Sequence, residues 1–479
     1  MIKSTDSQHW LIEKALHFPN KLAIQTNSQN FTFEQLVKAS LAVKMYLTEH
    51  GIKREDNVCI LADHDFRFWI IVNALWLMGA VPVPINIKNT EEEIEWQFQK
   101  VDSKYLIDLR ENKSSYAAVY CLSFENFNFF NTERNDTVYS QFDFSHLHSA
   151  IILFTSGSTG KPKAVLHTFK SLYESAIATA TTFDLNKKDI WLASLPLYHI
   201  GGIMILVRSL LTESLVVFPN SLKQNDIVES INKSNPTHIS FVSTTFKRIL
   251  ESNQNPNKNL KYVFLGGGHL SDDLCRDAIK SGFPIVKVYG STETCSMVYA
   301  LKPEDFNKKI DSVGIPINEK IKIIVSNGDI FVSTPTLFKE YYNDEEITKL
   351  KIINNFYQTG DLGKLDDDGF LYIDSRREDI IISGGENVSV KEIEISINSI
   401  PNVNDCFVFG LKDETWGQII CAAIVSNDYT AEKLKSILQN KLASYKIPKK
   451  IFFVTEIPRN EMGKIMRSEL IHSLKLDEV

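Results

Sequence analysis

The sequence predicts an α/β protein in two parts. Residues 1–375 read as a large N-terminal domain of mixed, mostly parallel sheets with helices, carrying a small β subdomain. Residues 376–479 read as an α+β C-terminal domain. Three observations carry this. Helix and strand signals alternate through the first 265 residues, the pattern of a mostly parallel sheet covered by helices. Between 310 and 375 the pattern changes to short β runs separated by Asn327-Gly328 and Asp366-Asp-Asp-Gly369, which are hairpin turns. After Asp374 a charged cluster, Ser375-Arg-Arg-Glu-Asp379, precedes a unit of about 100 residues, a usual size for a separate domain. A chain of 479 residues is also too long for one compact core.

Taken in order, Thr32-Phe-Glu-Gln35 has capping-box spacing and opens a helix running toward Gly51. Val58–Leu61 is a strand, Phe66–Met78 a helix stopped by Gly79, and Val81–Ile85 an extended segment. Thr90-Glu-Glu-Glu93 opens a further helix with the same capping spacing. The apolar run Ala150–Phe154 is a buried strand. Alternation then resumes with strand Asp189–Ser194, helix Ile203–Leu211, strand Leu215–Phe218, helix Asp226–Lys233 and strands His238–Val242 and Tyr262–Leu265. Ile321–Val325, Ile330–Ser333 and Phe370–Ile373 form the β subdomain. The C-terminal unit reads as helix 389–398, strands near 405–410 and 418–425, helix 430–443 and strand 451–455.

Composition narrows the partners. Lys plus Arg number 52 against 59 Asp plus Glu, a formal net charge of −7, so no electrostatic case exists for nucleic acid. The six cysteines are scattered without a Cys-x-x-Cys pair, which implies neither a zinc site nor a disulfide framework. Reduced thiols and a cytoplasmic location are the expectation. The N-terminus has no apolar signal core. The most apolar stretches, Phe66–Asn86 and Tyr198–Phe218, are interrupted by Arg67, Gly79 and two prolines, and by Arg208 and Glu213. They suit buried core better than a membrane span. Oligomeric state is open, a homo-oligomer included.

Four segments carry chemistry. Thr155-Ser-Gly-Ser-Thr-Gly-Lys-Pro-Lys163 leaves the Ala150–Phe154 strand with four hydroxyls, two glycines and two lysines. Backbone N–H groups, hydroxyl donors and positive charge together suit a polyphosphate, although the spacing is not that of a Walker loop. In Val288-Tyr-Gly-Ser-Thr-Glu-Thr294 a hydroxyl and a carboxylate leave a strand side by side, as a phosphate and its Mg²⁺ require. In Tyr357-Gln-Thr-Gly-Asp361 an Asp at a strand end can accept from a ribose diol. Pro458-Arg-Asn-Glu-Met-Gly-Lys464 places a lysine on a loop of the small domain. The density of donors in Thr155–Lys163 argues against a plain polar turn there, whereas each of the other three, taken singly, is also readable as a turn or a solvated side chain.

In order and spacing, these segments and Arg376–Asn387 resemble the adenylate-forming superfamily of acyl-CoA synthetases, luciferases and peptide-synthetase adenylation domains. The resemblance covers essentially the whole chain. It implies two half-reactions: a carboxylic acid attacks the α-phosphate of Mg·ATP to give an acyl-adenylate and pyrophosphate, and a thiol, usually that of coenzyme A, displaces AMP. It implies that Lys464 bridges the attacking carboxylate and the α-phosphate, that Thr292 holds the α-phosphate, Glu293 the Mg²⁺ and Asp361 the ribose hydroxyls, and that Arg376 steadies the ribose or phosphate side. Thr155, Ser156, Gly157, Ser158, Thr159, Gly160 and Lys163 are implied for the β- and γ-phosphates. Gly266, Gly267, Gly268, Tyr289 and Gly290 are implied for the nucleotide pocket, and the Ser383-Gly384-Gly385 turn for the thiol step. A mobile C-terminal domain pivoting at Glu378 is implied as well; many relatives carry Asp or Lys at that position.

Trp191-Leu-Ala-Ser-Leu-Pro-Leu-Tyr-His199-Ile-Gly-Gly202 resembles the superfamily's acyl-pocket segment, which would put His199 near the substrate carboxylate. Arg208 sits in the apolar run Ile203–Leu211, where a charge needs a partner. That partner is either a protein carboxylate such as Glu213 or a second carboxylate on the substrate. Leu195–His199, Gly290–Ser296, Ile381–Asn387 and Asp413-Glu-Thr-Trp-Gly417 further resemble the subfamily that ligates 2-succinylbenzoate to coenzyme A in menaquinone synthesis. Its substrate has two carboxylates, and Arg208 with Ser296 would recognise the one that is not activated. Other aryl or medium-chain acyl-CoA ligases, an adenylation enzyme loading a carrier protein, and a non-catalytic nucleotide-binding relative remain as alternatives.

Overall fold

The computed structural model describes residues 8–110, 116, 119–124, 127–130, 144–155, 162–252, 254–267, 270, 272–376, 380–458 and 467–476. The chain divides into two compact units: Met1–Ile87, Gln97–Phe154 and Ala164–Ser375 form one, and Lys88–Trp96, Thr155–Lys163 and Arg376–Val479 the other.

The larger unit is built on a sheet of nine strands among the described residues. From edge to edge it runs Ile315–Pro316, Ser296–Leu301, Ile285–Ser291, Tyr262–Leu265, His238–Phe241, Ile190–Leu192, Leu215–Val217, Leu22–Gln25 and Asn30–Thr32. The strands from Ile285–Ser291 to Leu22–Gln25 pair in parallel, and pairing turns antiparallel at both edges. A second sheet, Val81–Pro84, Asn57–Leu61, Tyr105–Asp108 and Tyr120–Leu122, is parallel throughout. Its central strand is buried along its whole length, as a parallel sheet covered on both faces requires. The β subdomain pairs Lys322–Ser326, Asp329–Ser333, Phe356–Leu365 and Ile352–Ile353 antiparallel. Its first hairpin turns on Asn327 and Gly328, both at positive φ (52° and 84°), the two-residue turn that matches strand twist.

Local signals explain where elements begin and end. Thr32 N–H donates to Gln35 Oε1 at 2.9 Å and Gln35 N–H to Thr32 Oγ1 at 3.2 Å, a complete capping box on helix Phe33–Glu49. Helix Arg67–Met78 stops at Gly79, whose φ of 73° an L side chain would resist. Several expected bounds shift by one to five residues, two helix ends among them. The helix expected over Ile203–Leu211 starts at Ile200, because the His199 carbonyl already accepts from Gly202 and Ile203. The helix expected over 430–443 ends at Leu438, where i→i−3 bonds at Asn440 and Lys441 tighten the chain.

The smaller unit has a sheet ordered Glu386–Ser389, Ile380–Ser383, Gly417–Val425 and Asp405–Asp413, with Lys450–Phe453 parallel to Gly417–Val425. Within it, the buried Lys446 ammonium bridges Glu93 Oε1 at 2.6 Å and Glu392 Oε1 at 2.7 Å. That ion cluster ties the Lys88–Trp96 segment to this unit.

Candidate active site

The nucleotide motif is a turn, Thr292–Cys295, joining antiparallel strands Ile285–Ser291 and Ser296–Leu301. Its exit is strained: Cys295 and Ser296 take φ of 57° and 80°, which non-glycine residues adopt only when the surroundings hold them there. Gly290 makes that path available, since a Cβ on it would lie 1.9 Å from the Ser296 carbonyl oxygen.

Four consecutive carbonyls of the turn are each held from outside it. His167 Nε2 lies 2.7 Å from Thr292 O, and the Phe338 N–H donates to Glu293 O at 2.8 Å. Thr336 Oγ1 donates to Thr294 O at 2.8 Å, and Ser175 Oγ to Cys295 O at 2.6 Å. These donors come from strand Lys163–Thr168, helix Phe169–Thr182 and the segment before strand Glu340–Tyr341. Burial pushes the His167 imidazole down to about 4, so it is neutral near pH 7. One tautomer satisfies both contacts: Nε2–H donates to Thr292 O while Nδ1, 3.0 Å from Ser171 Oγ, accepts.

The turn presents Thr292 half-exposed and Glu293 buried, at 8% exposure. Tyr341 Oη donates to Glu293 Oε1 at 3.0 Å. No ion pair involves the Glu293 carboxylate among the described residues, so a buried negative charge is held by a hydroxyl alone. That is an environment a divalent cation suits, and Mg²⁺ commonly takes only one or two protein carboxylates beside phosphate oxygens. Asp361, buried on strand Phe356–Leu365, accepts from Tyr289 Oη at 2.7 Å. Its backbone N–H is fixed on Thr359 Oγ1 at 3.0 Å. Tyr289 thus links the two motifs. Gly266 follows strand Tyr262–Leu265, with Val288 Cγ2 only 2.6 Å from where its Cβ would stand. Gly267 has a φ of 79°.

Directly after the turn, Ser296 Oγ accepts from Arg208 Nη2 at 2.9 Å. Arg208 is 2% exposed, on helix Ile200–Thr212, with its guanidinium carbon 5.7 Å from the centre of the Trp191 ring. The expected protein partner does not serve it: the Glu213 carboxylate pairs with Lys14 Nζ at 3.1 Å. Glu213 is the helix C-cap at a φ of 60°, facing the first helix of the chain. Among the described residues no carboxylate pairs with Arg208, and its Nε has no hydrogen-bond partner. Burial draws the guanidinium down to about 10, and the adjacent Cys295 thiol is pushed up to about 12. His199 is the N-cap residue of the same helix; its ring packs 4.8 Å from Tyr198.

Of the remaining sequence-derived positions, Thr155, Lys163, Arg376, Gly384 and Gly385 group with the smaller unit. Thr155 closes strand Ser149–Thr155, with a buried Oγ1 lacking a partner among the described residues, and Lys163 is buried at the start of strand Lys163–Thr168. Gly384 and Gly385, at φ of 60° and 85°, turn the chain between strands Ile380–Ser383 and Glu386–Ser389. Arg376 ends strand Leu371–Arg376. Ser156, Gly157, Ser158, Thr159, Gly160, Gly268, Glu378 and Lys464 lie outside the described residues. Sequence reasoning missed His167, Ser175, Thr336 and Tyr341. Each sits alone in its segment, so only their common target reveals them.

The fold and these motifs have a match. Residues 11–342 fit the AMP-binding enzyme family, and residues 392–464 its C-terminal domain, the AMP-binding enzyme C-terminal domain. The chain belongs to the AMP-binding enzyme family. Among its relatives is the 2-succinylbenzoate–CoA ligase of Bacillus mycoides, 33% identical over 474 residues, which cover 96% of this chain and 98% of the relative. The chain also resembles a double mutant of the o-succinylbenzoate CoA synthetase of Bacillus subtilis bound with its product analogue OSB-NCoA. That likeness has a TM-score of 0.90 and 31% identity, over 97% of this chain and 98% of the other. The Bacillus subtilis enzyme in complex with ATP and magnesium ion matches with a TM-score of 0.73 and 32% identity, over 96% and 98% of the two chains. Among the described residues no helix is long and apolar enough to cross a membrane.

Proposed function

We propose that the chain is an AMP-forming acid–CoA ligase that converts 2-succinylbenzoate, ATP and coenzyme A to 2-succinylbenzoyl-CoA, AMP and pyrophosphate, in menaquinone biosynthesis. The observation that carries the choice of acid is Arg208. It is a buried cation with no carboxylate partner among the described residues, one side chain from the nucleotide turn. An unpaired buried charge is costly, and a substrate bearing a second carboxylate would relieve it. The relatives named above support the same reading.

In the first step one carboxylate oxygen of the acid forms a bond to the α-phosphorus while the bond to the pyrophosphate oxygen breaks. Two anions must meet, so donors and positive charge are needed where they do. Thr292 takes the α-phosphate, Asp361 the ribose diol, and the Thr155–Lys163 loop the departing β- and γ-phosphates. Lys464 is assigned to the attacking carboxylate and the α-phosphate. Glu293 is the residue that would hold Mg²⁺, which when bound draws charge off the phosphate oxygens. In the second step the coenzyme A thiol attacks the acyl carbon, the C–S bond forms, the thiol proton is lost and AMP leaves. Arg208 and Ser296 are assigned to the carboxylate that takes no part, and His199 to the reacting one.

A panel of acids, scored by pyrophosphate release and by mass detection of the thioester, tests this. 2-Succinylbenzoate should exceed benzoate and medium-chain fatty acids by roughly 10²-fold or more in kcat/KM, since a site built for a charged group rejects analogues lacking it. Equal use of a monocarboxylic acid would refute the assignment of the acid.

A further inference from the structure

We propose that Tyr341 is a positioning residue for the first step: its phenol fixes the Glu293 carboxylate, and through it the site of the divalent cation. The inference rests on the reading of Glu293 given above.

The geometry separates what holds Tyr341 from what Tyr341 holds. Its backbone is anchored independently of its hydroxyl. Strand Glu340–Tyr341 pairs antiparallel with Leu166 and Val165, and the Tyr341 N–H donates to Thr348 Oγ1 at 3.0 Å. Its ring packs in a small apolar cluster with Val165, Phe338 and Tyr357, 4.7 Å from the Phe338 ring. Only the Oη is left to do polar work, and it points at Glu293 Oε1. The Tyr341 phenol also shares a hydrogen bond with that of Tyr357, which is 4% exposed and lies on strand Phe356–Leu365, the strand that carries Asp361. The two strands of the nucleotide site are therefore tied twice by phenols. Tyr289 ties Asp361 directly, and Tyr357 with Tyr341 ties the same strand to Glu293.

The consequence is chemical. A carboxylate on a flexible side chain, buried with no ion-pair partner among the described residues, would otherwise rotate. One phenol on Oε1 fixes the plane of the group and leaves Oε2 as the oxygen for a cation. Tyr341 touches neither nucleotide nor metal in this arrangement; it acts through Glu293.

The test uses the full chain and reads binding as well as turnover. ATP affinity is measured calorimetrically with EDTA and across a Mg²⁺ titration, for the wild type, Tyr341→Phe, Tyr357→Phe, Glu293→Gln and Tyr341→Phe/Glu293→Gln, beside thermal melting of each. Tyr341→Phe should leave ATP affinity in EDTA unchanged and raise the Mg²⁺ midpoint about 10-fold, with kcat restored by excess Mg²⁺. Tyr357→Phe should shift the midpoint less, about 2- to 3-fold, and it supplies the same readout if Tyr341→Phe folds poorly. The double variant should be no worse than Glu293→Gln. If Tyr341→Phe weakens ATP binding equally with and without Mg²⁺, its role is structural only and the proposal falls. If Glu293→Gln shifts the Mg²⁺ midpoint and neither phenol variant does, the proposal also falls. If Glu293→Gln itself leaves the midpoint in place, the underlying reading of Glu293 is wrong.

Discussion

The Thr292–Cys295 turn and the Arg208 cluster adjoin at Cys295 and Ser296, yet they are built on opposite principles. In the turn, each of four successive carbonyls has a donor supplied from another element, and the one imidazole among those donors is held neutral. In the cluster, a guanidinium is buried against an indole with one hydroxyl as acceptor and an Nε without a partner among the described residues. Full satisfaction gives a rigid frame, because any displacement breaks a bond that water cannot replace. Incomplete satisfaction stores a demand that a ligand can meet. A reaction that handles one nucleotide and one chosen acid needs both.

The contrast can be broken or sharpened by substitution. The largest effect belongs to Arg208. Arg208→Met should lower kcat/KM for 2-succinylbenzoate about 100-fold through KM, leave the KM for ATP alone and not lower the melting temperature, because removing an unpaired buried charge is neutral or stabilising. A fall in melting temperature with an unchanged acid KM would make Arg208 structural.

His167 comes next. Its native imidazole titrates near 4, below the unfolded value of about 6.5. The unfolded chain therefore binds the extra proton first. The stability from this group is fully present above pH 6.5 and is lost as the pH falls toward 4, on the order of 2–3 kcal/mol. Chemical denaturation between pH 8 and 4 should show that slope, and His167→Gln should flatten it. Other buried histidines held low in the same unit, His9 at about 3 and His64 at about 4, add to the wild-type slope, so the difference between the two proteins is the quantity to read. An identical slope in both would remove His167 from the frame.

Ser175→Ala is the smallest change. Leaving the Cys295 carbonyl without its donor should cost about 1–2 kcal/mol in denaturant midpoint and raise the KM for ATP a few-fold, with the acid KM steady. An effect on the acid KM alone would erase the division between the two regions.

Much of the fold could be read from short-range pattern. Thr32 with Gln35, Gly79 after Met78 and Asn327-Gly328 mark their boundaries by capping and turn chemistry, which needs only neighbours in sequence. The expected helix over 430–443 failed at its end, because no local residue signals the switch to i→i−3 bonding after Leu438. Thr292, Glu293, Asp361 and Arg208, the residues proposed to face ligands, stand out in the sequence because each is a polar group where strand or apolar pattern has no use for one. The residues that hold them do not. Ser175 and Thr336 stand more than 40 positions from the turn they support, and such hydroxyls occur throughout the sequence.

The sequence by itself determined the alternation of elements, the order of the motifs and the family, since all of these depend on residue type and spacing along one dimension. Only the tertiary structure decided partnership. It gave Glu213 to Lys14, left Arg208 to Ser296 and Trp191, placed Tyr341 on Glu293 and chose the tautomer of His167. The reason is physical: the cost of a buried charge or donor depends on what lies within about 3 Å of it, and chain folding, not spacing along the sequence, sets those neighbours.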